Sequence, residues 1–509
     1  MKIEQPIILR DFSRGVFRKA AVSTALVPLN SVSHSLNLNF DTQIGNVVVR
    51  LGTTVLGSTE VARVNKTPLG FTEFVPSGST SGLLTTASSI GLLVAAYAGT
   101  TNGQIHYYNG AWAAANTTSG LISNTANNRF ASLGNYVFRV NGADQMISST
   151  DGSTWGTTNC LTSPAILTSL IYRAKSRLIT AGDTSVGAGS SKSRVWFSSV
   201  IDPSVSPSLT WNPNTTSGNF IDINPDDGSN LTGFAEASGL ILVFKDKAMY
   251  RMNVVTKTVD LDNIFNIGAV SQESITTCQG IVYFFSGIDI RQTNGDLPVQ
   301  ISRLGVQDWI DAIPQANWAA VAAGTDGLNV YFSIGNVTMF LNKNEQQTFN
   351  NVILKFSPRD QAWSVHTYGN SFSFFAQYTN ATNGRKMMGS DTAGNVQTIN
   401  LGTQDINTPI FYTLETQEQE LGTPRSHTKK ITDKVVVLTK NGQDSELSVK
   451  ADDGDFVPLK GTLEKRVNIL KDINVEGNYF IFKWSGTSQG TPPVFEGLEI
   501  PSYTDQNIK

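Results

Sequence analysis

Cysteine, histidine and charge are all scarce in this chain of 509 residues. Its two cysteines, Cys160 and Cys278, cannot build a disulfide framework or a four-ligand zinc site. The four histidines, His34, His106, His366 and His427, have no metal-ligand spacing to one another or to a cysteine, and read as strand or loop residues. Charged residues make up 16% of the sequence, against the ~25% usual in soluble proteins. With 38 Lys and Arg against 41 Asp and Glu, the formal net charge is −3. A dedicated nucleic-acid binder carries a basic patch and a high pI, so this balance argues against one. No apolar run approaches the ~20 residues of a membrane span, the longest lying at about Ile90 to Ala98. The start, Met1-Lys2-Ile3-Glu4-Gln5-Pro6, has no apolar core behind its lysine and does not read as a secretory leader.

Catalytic signatures are missing as well. No strand–turn–helix Gly-x-Ser-x-Gly elbow appears, and no glycine-rich loop ending in Gly-Lys-Ser/Thr. Val186-Gly187-Ala188-Gly189-Ser190-Ser191-Lys192 comes nearest to a phosphate loop but lacks the spacing and a following helix, so it reads as a surface loop. Asp222-Ile223-Asn224-Pro225-Asp226-Asp227-Gly228 and Asp452-Asp453-Gly454-Asp455 could attract calcium, yet neither has the alternating ligand pattern of a calcium loop. Turn chemistry accounts for both. No catalytic residue, cofactor or metal is expected, and the chain is not expected to be an enzyme.

What is abundant is turn and strand chemistry. Apolar residues reach 40%, and the polar share goes to Ser, Thr, Asn and 44 Gly, which favour strands and turns over helices. Charge is also uneven. Residues 409–509 hold 27 charged residues in 101, while the other 52 are spread over the first 408. This shift marks a domain boundary near the turn-rich stretch Leu401 to Thr408. Beyond it, Lys434-Val435-Val436-Val437-Leu438-Thr439, Glu446 to Lys450, Tyr479 to Trp484 and Pro493 to Ile500 alternate with period two, and predict a small β-sandwich over 409–509.

Through 41–408 one unit recurs: apolar strand, tight polar turn, aromatic strand. Asn109-Gly110 leads to Trp112, Asp151-Gly152 to Trp155, and Asp360 to Trp363. In each, the turn reverses the chain and the Trp can cover the apolar face of the hairpin. The first two Trp lie 43 residues apart, close to the ~40–50 residues of a four-stranded blade. Six to eight such units predict an all-β fold, a β-propeller over 41–408, with stacked sandwiches as the alternative. The one helix expected is short, Gly305 to Ile313. Residues 1–40 have no period of their own and read as an extended arm that gains order on a neighbouring subunit.

Asp11-Phe12-Ser13-Arg14-Gly15 is followed by Ser35-Leu36-Asn37-Leu38-Asn39-Phe40-Asp41, and then by Gly45-Asn46-Val47-Val48-Val49-Arg50-Leu51-Gly52. These phrases resemble the opening of the tail propeller proteins of tailed bacteriophages, the hub or nozzle proteins below the portal and adaptor. Arg177 to Gly182 with Val195-Trp196-Phe197-Ser198-Ser199, Asp202-Pro203 and Trp211, then Gly239 to Lys245 and Ile281 to Gly287, are similar too. Two departures are Arg14 in place of the usual first Gly, and Ile288-Asp289-Ile290 where a Gly-aromatic pair is common. The resemblance implies a structural virion protein, assembled in the host bacterial cytoplasm as a homohexameric ring around the genome channel. It also implies an assembly arm containing Asp11, Phe12, Ser13 and Gly15. The portal or adaptor and the distal tail components or fibres would be its partners, and DNA would pass through transiently. Two other functions compete. One is a glycan- or receptor-binding propeller on the virion, with Tyr107, Tyr108 and Trp112 stacking on sugar. The other is a sialidase-like hydrolase; the phrase Asp151 to Trp155 resembles the Asp-box of sialidases, but there it is a structural turn away from the catalytic pocket and does not argue for glycoside cleavage.

Overall fold

The computed structural model describes residues 6–17, 27–28, 30–41, 45–57, 67–75, 92–99, 102–117, 123–161, 166–184, 190–200, 211, 219–340, 346–380, 384–419, 429–431, 434–471 and 473–505. Among them the chain forms a β-propeller and a β-sandwich. Seven antiparallel blades follow one another along the sequence. Blade 1 holds Pro68–Phe74, Leu92–Tyr97, Gln104–Tyr108 and Trp112–Ala114. Blade 2 holds Arg129–Leu133, Tyr136–Val140 and Ile147–Ser149, with the short parallel pair Asn116–Thr117 and Thr154–Trp155 beside it. Blade 3 runs from Thr168 to Asp222, blade 4 from Leu231 to Phe265, and blade 5 from Ile275 to Gln300. Blade 6 is built from Ala322–Thr325, Val330–Phe340, Gln346–Ser357 and Ala362–Thr367. Blade 7 takes Phe372–Asn380, Gly384–Asp391 and Val396–Ile399, and borrows Thr53–Val55 as its outermost strand.

The first strand of each blade packs beside that of the next, and Phe372–Asn380 of blade 7 returns to Pro68–Phe74 of blade 1. The ring is therefore closed, and within blade 7 the borrowed strand joins the two ends of the propeller by hydrogen bonding: Gln397, Thr398 and Ile399 pair with Val55, Thr54 and Thr53. Ring closure explains why the second strand of a blade reads as a solid apolar run. In Leu240–Lys245 of blade 4, Ile241 and Val243 pack against Ala181, Val195 and Phe197 of blade 3. Leu242 and Phe244 face the other way, against Val282 and Phe284 of blade 5, with the two Phe rings 5.0 Å apart. Both faces of the sheet are covered, so neither set of alternate residues can be polar.

The arm expected over 1–40 takes a different form. Its described strands belong to the sandwich of the same chain. Val32–Leu36 pairs with Ile410–Thr416 in one sheet, which continues through Phe480–Ser488, Ser445–Ala451 and Val457–Pro458. The other sheet runs Leu38–Asn39, Val47–Val49, Val494–Ile500, Lys434–Lys440, Val467–Lys471, with Ile7–Leu9 pairing onto Val494–Ile500. The physical reason is burial: Val32, Leu38, Val47 and Val49 are at most 1% exposed, a degree of cover that an extended arm on its own chain would not have. The chain leaves the last blade at Ile399 and enters the sandwich at Ile410. Trp484 lies at the centre of the sandwich, 4.7 Å from Tyr412 and 5.2 Å from Phe495. The short helix spans Gln307–Asp311.

Candidate functional site

The three sequence hairpins all turn their tryptophans inward. Asp151 sets the first turn: its Oδ1 accepts from the backbone N–H of Ser153 and Thr154, each at 2.8 Å, and from Ser149 Oγ at 3.0 Å. Trp155 is fully buried between blades 1 and 2 and donates Nε1–H to the Gly152 carbonyl at 2.9 Å. This local hydrogen-bonded staple uses both functional groups of the Asp-box-like phrase internally. At Asn109-Gly110, Trp112 is buried in the cluster of blades 7 and 1 and donates Nε1–H to the Leu56 carbonyl at 2.8 Å. Tyr108, half-buried, lies 5.2 Å from Trp112 and 6.3 Å from Tyr378, so these rings form a packed layer. In the third hairpin, Asp360 Oδ2 accepts from Ser357 Oγ at 2.8 Å, and Trp363 donates to the Ile301 carbonyl of blade 5 at 3.1 Å.

Trp363 is also where the Asp11 phrase docks. Asp11 accepts from Ser13 N–H at 2.9 Å, and Asn30 Nδ2 bonds Ser13 Oγ at 2.9 Å, so the phrase is a local turn. It delivers Gly15 against the Trp363 backbone, where a Cβ would meet the carbonyl oxygen at 2.5 Å, and Val16 N–H bonds that carbonyl at 3.0 Å. Phe12 is 3% exposed and packs 5.6 Å from Phe495 of the sandwich. Sequence reasoning assigned Asp11, Phe12, Ser13 and Gly15 to contacts with a neighbour. In the structure Phe12 and Gly15 join blade 6 to the sandwich of their own chain.

The next phrases complete the same junction. Asn37 donates Nδ2–H to the Phe411 carbonyl at 2.6 Å, and its Oδ1 accepts from Thr367 N–H and from Arg50 Nε–H, both at 2.8 Å. Arg50 forms a bidentate ion pair with Asp405, donates to the Thr367 carbonyl at 2.5 Å, and lies 3.9 Å from the Tyr368 ring centre. Gly52 passes the Gln404 carbonyl so closely that any Cβ would overlap it. Phe40 is 2% exposed, and both carboxylate oxygens of Asp41 accept from the Lys355 ammonium, at 2.8 and 2.9 Å, which also bonds Asn39 Oδ1 at 2.8 Å. A cleft of ≈ 650 Å³ opens beside this lock, lined by Asp41, Leu51, Asp326, Tyr331, Lys355 and Asn400 among others. Its polar groups largely satisfy one another: Tyr331 O–H donates to Asp326 at 2.7 Å and accepts from Asn400 at 2.8 Å.

Lysine supplies the cation where the sequence suggested calcium. Lys245 is fully buried, and its ammonium bonds Asp227 Oδ1 at 2.7 Å, the Asn224 carbonyl at 2.9 Å and Ser193 Oγ at 3.0 Å. Asp452 instead caps a turn, accepting from Asn478 and Tyr479 N–H at 2.8 and 3.1 Å. Among the described residues no group of three or more His, Cys, Asp or Glu is placed to hold a metal ion, and no helix is long and apolar enough to cross a membrane. Burial pushes the Cys160 thiol up to about 12, and it raises Cys278 too, so neither is poised as a thiolate nucleophile. His427 and most of the Val186 to Lys192 stretch lie outside the described residues.

The propeller axis is crossed near one end. Arg129 of blade 2 makes a bidentate pair with Glu273, next to blade 5, at 2.8 and 2.9 Å, and donates to the Ser169 carbonyl of blade 3 at 2.7 Å. On one side of this bar lies a polar space of ≈ 500 Å³, lined by Thr72, Ser132, Tyr172, Arg173 and Glu236.

These pairs set the acid response. Burial works against ionisation of Asp144, Asp151 and Asp227, but N–H, Ser, Asn, Arg and Lys donors hold all three below the ordinary 3.8. Their stabilisation is complete above the unfolded value and is lost as pH falls through the lower folded values. Burial, with Lys355 and Arg50 nearby, holds His366 well below 6.5, while its Nε2–H bonds the Leu38 carbonyl at 3.2 Å. The unfolded chain then takes up this proton first. The melting temperature is expected to fall gently below pH ~6.5 and steeply below pH ~4. A melting temperature flat to pH 4.5 would exclude the histidine contribution, and one flat to pH 3 the carboxylates.

No known family model matches the chain, and no curated protein is similar to it. Among solved structures it is similar to BBS1N, solved in complex with ARL6DN, at 11% identity, over 70% of this chain and 100% of that one, with a TM-score of 0.41. BamB from Moraxella catarrhalis gives 9% identity, 72% and 96% coverage and a TM-score of 0.38. Both are β-propellers. An exo-beta-1,3-galactanase from Phanerochaete chrysosporium, solved with galactose, gives 10% identity, 75% and 98% coverage and a TM-score of 0.24.

Proposed function

We propose that this chain is a structural subunit of a bacteriophage tail, a hub or nozzle protein whose copies form a ring around the DNA channel. The ring would link the portal or adaptor to the distal tail parts. The observation that carries the reading is the lock just described. The N-terminal phrases behind the resemblance to tail propeller proteins, Asp11 to Gly15 and Asn37 to Gly52, meet at one junction and hold propeller and sandwich together. A wall protein needs that kind of stiffness, and it needs no catalytic group or cofactor.

Charge placement favours the same reading. Four cations of the propeller and its lock are engaged internally, Arg50 with Asp405, Lys245 with Asp227, Lys355 with Asp41 and Arg194 with Asp222. A surface with few free cations neutralises few phosphates, so DNA can pass without being held. The Arg129–Glu273 bar crosses the propeller's own axis, so in this reading the conduit lies between subunits. Mass photometry and negative-stain microscopy of the purified chain test the proposal. The expected result is a ring of six times the 55.0 kDa subunit mass with an axial opening, and the same ring in the tail of the particle. A monomer that is absent from particles would overturn it.

A further inference from the structure

We propose that the ring contact, which rests on the reading above, is heterologous: the free edge of one copy's sandwich seats on the outer edge of blade 5 of the next copy. Val467–Lys471 is the last strand of its sheet among the described residues. Its Val467 and Ile469 are 51% and 50% exposed, and stand in register beside Leu438 and Val436 on the outward face. Together they make an apolar strip where a solvated sheet face would alternate to polar residues. Cations frame this strip. Lys434 and Lys471 stand directly opposite each other, an arrangement that like charges disfavour, and Lys465 and Arg466 are exposed at the other end, Arg466 paired with Glu496 at 3.2 Å. A surface of this kind is complementary to an apolar strip with an acidic rim.

The same chain carries one. The outer strand of blade 5, Val299–Gln300, leaves Val299 57% exposed, with Leu297, Leu304 and Ile288 at 66%, 46% and 65%. The hydrogen bonds of Gln307 tie this edge together, since it accepts from Gln300, donates to the Ile288 carbonyl and donates to Asp311. Asp311 is exposed, and so is Asp296, which keeps only a 3.4 Å contact with Arg251; Arg303 is the exposed cation of the same edge. The corresponding strand of blade 6 is bonded by the chain's own Val16 and Asn37, at Trp363 and Val365, whereas among the described residues no strand pairs onto Val299–Gln300 from outside. Both halves of a complementary pair on one chain, at different places, specify a head-to-tail contact, which closes into a ring when the rotation between copies permits. The occupant of each strip is therefore a second copy.

The test uses two variants of the full chain and mass photometry of each alone and mixed. Ile469→Asp sets an anion against the acidic edge, and Val299→Lys sets a cation against the lysines. Both sites are solvent-facing, so the melting temperature of each variant is expected to match the parent chain. Each variant alone is expected to associate about a hundredfold more weakly and to run as a monomer. Mixing them is expected to restore association, because each retains the strip that the other has lost. If Val299→Lys still forms rings, or the mixture stays monomeric, the assignment of these two strips is overturned while the ring itself stands. If the parent chain is monomeric, the ring reading and this contact fall together.

Discussion

Removing residues 1–55 is expected to abolish the cooperative fold of the whole chain, not to trim an appendage. The deletion takes Thr53–Val55 from blade 7 and so removes the strand pair that ties the N-terminal part of the chain into the last blade. It also strips Ile7–Leu9, Val32–Leu36, Leu38–Asn39 and Val47–Val49 from both sheets of the sandwich. Phe12, Val16, Val32, Leu38, Phe40, Val47 and Val49 are each at most 3% exposed. At roughly 1.5–3 kcal/mol for burying one such side chain, their loss removes about 10 kcal/mol or more. That is comparable to the whole stability of an ordinary domain, about 5–15 kcal/mol. The surfaces left behind are worse than absent, since two sheets then expose unpaired edges that invite aggregation. Expression of residues 56–509 should give insoluble protein or a broad, non-cooperative melt by circular dichroism and calorimetry. A soluble fragment with the parent melting temperature would show that the N-terminal strands are ornamental and restore the free-arm reading.

That prediction also marks what the sequence made legible. The blades were visible because the signal is local: each is a series of short strands joined by tight turns, and a run such as Leu240–Lys245 needs only its neighbours to declare itself buried. The N-terminal strands gave no such signal. Val32–Leu36 is paired with residues near 413–416, and Thr53–Val55 with 397–399, so the partner is more than 340 positions away. A strand as short as Val32–Leu36 carries too few residues to show a period, and even a clear period would not say whose sheet it joins. The lock residues were readable only as a phrase of the family resemblance; nothing local pairs Arg50 with Asp405. One signal was available and unused. Lys245 and Lys355 sit within or at the end of solid apolar runs, and a buried lysine requires an anionic partner. For Lys245 the acidic loop at Asp227 was that partner.

Arg50→Met is expected to be the most damaging single substitution in the chain. Arg50 is 1% exposed and reaches four separate parts of the fold: Asn37 of the sandwich strands, Thr367 at the end of blade 6, Tyr368 beyond it, and Asp405 in the link from blade 7 to the sandwich. Burial disfavours its charge, and Tyr368 and Asp405 together more than restore it. Truncating one partner of a buried pair leaves the other charge without compensation, which costs about 3–5 kcal/mol. Here the substitution would strand Asp405, itself 9% exposed, and remove the donors that Arg50 supplies to Asn37 Oδ1 and the Thr367 carbonyl. Arg50→Lys is not expected to rescue the fold, because an ammonium cannot hold Asp405 bidentately while also reaching Asn37 and Thr367. The informative comparison is a cycle of Arg50→Met, Asp405→Asn and the double variant by chemical denaturation. Each single variant should lose several kcal/mol, and the double should lose much less than their sum, since no buried charge is left alone. Additive losses would mean that the pair is not coupled, and that the Arg-x-Gly phrase is retained for its glycine alone.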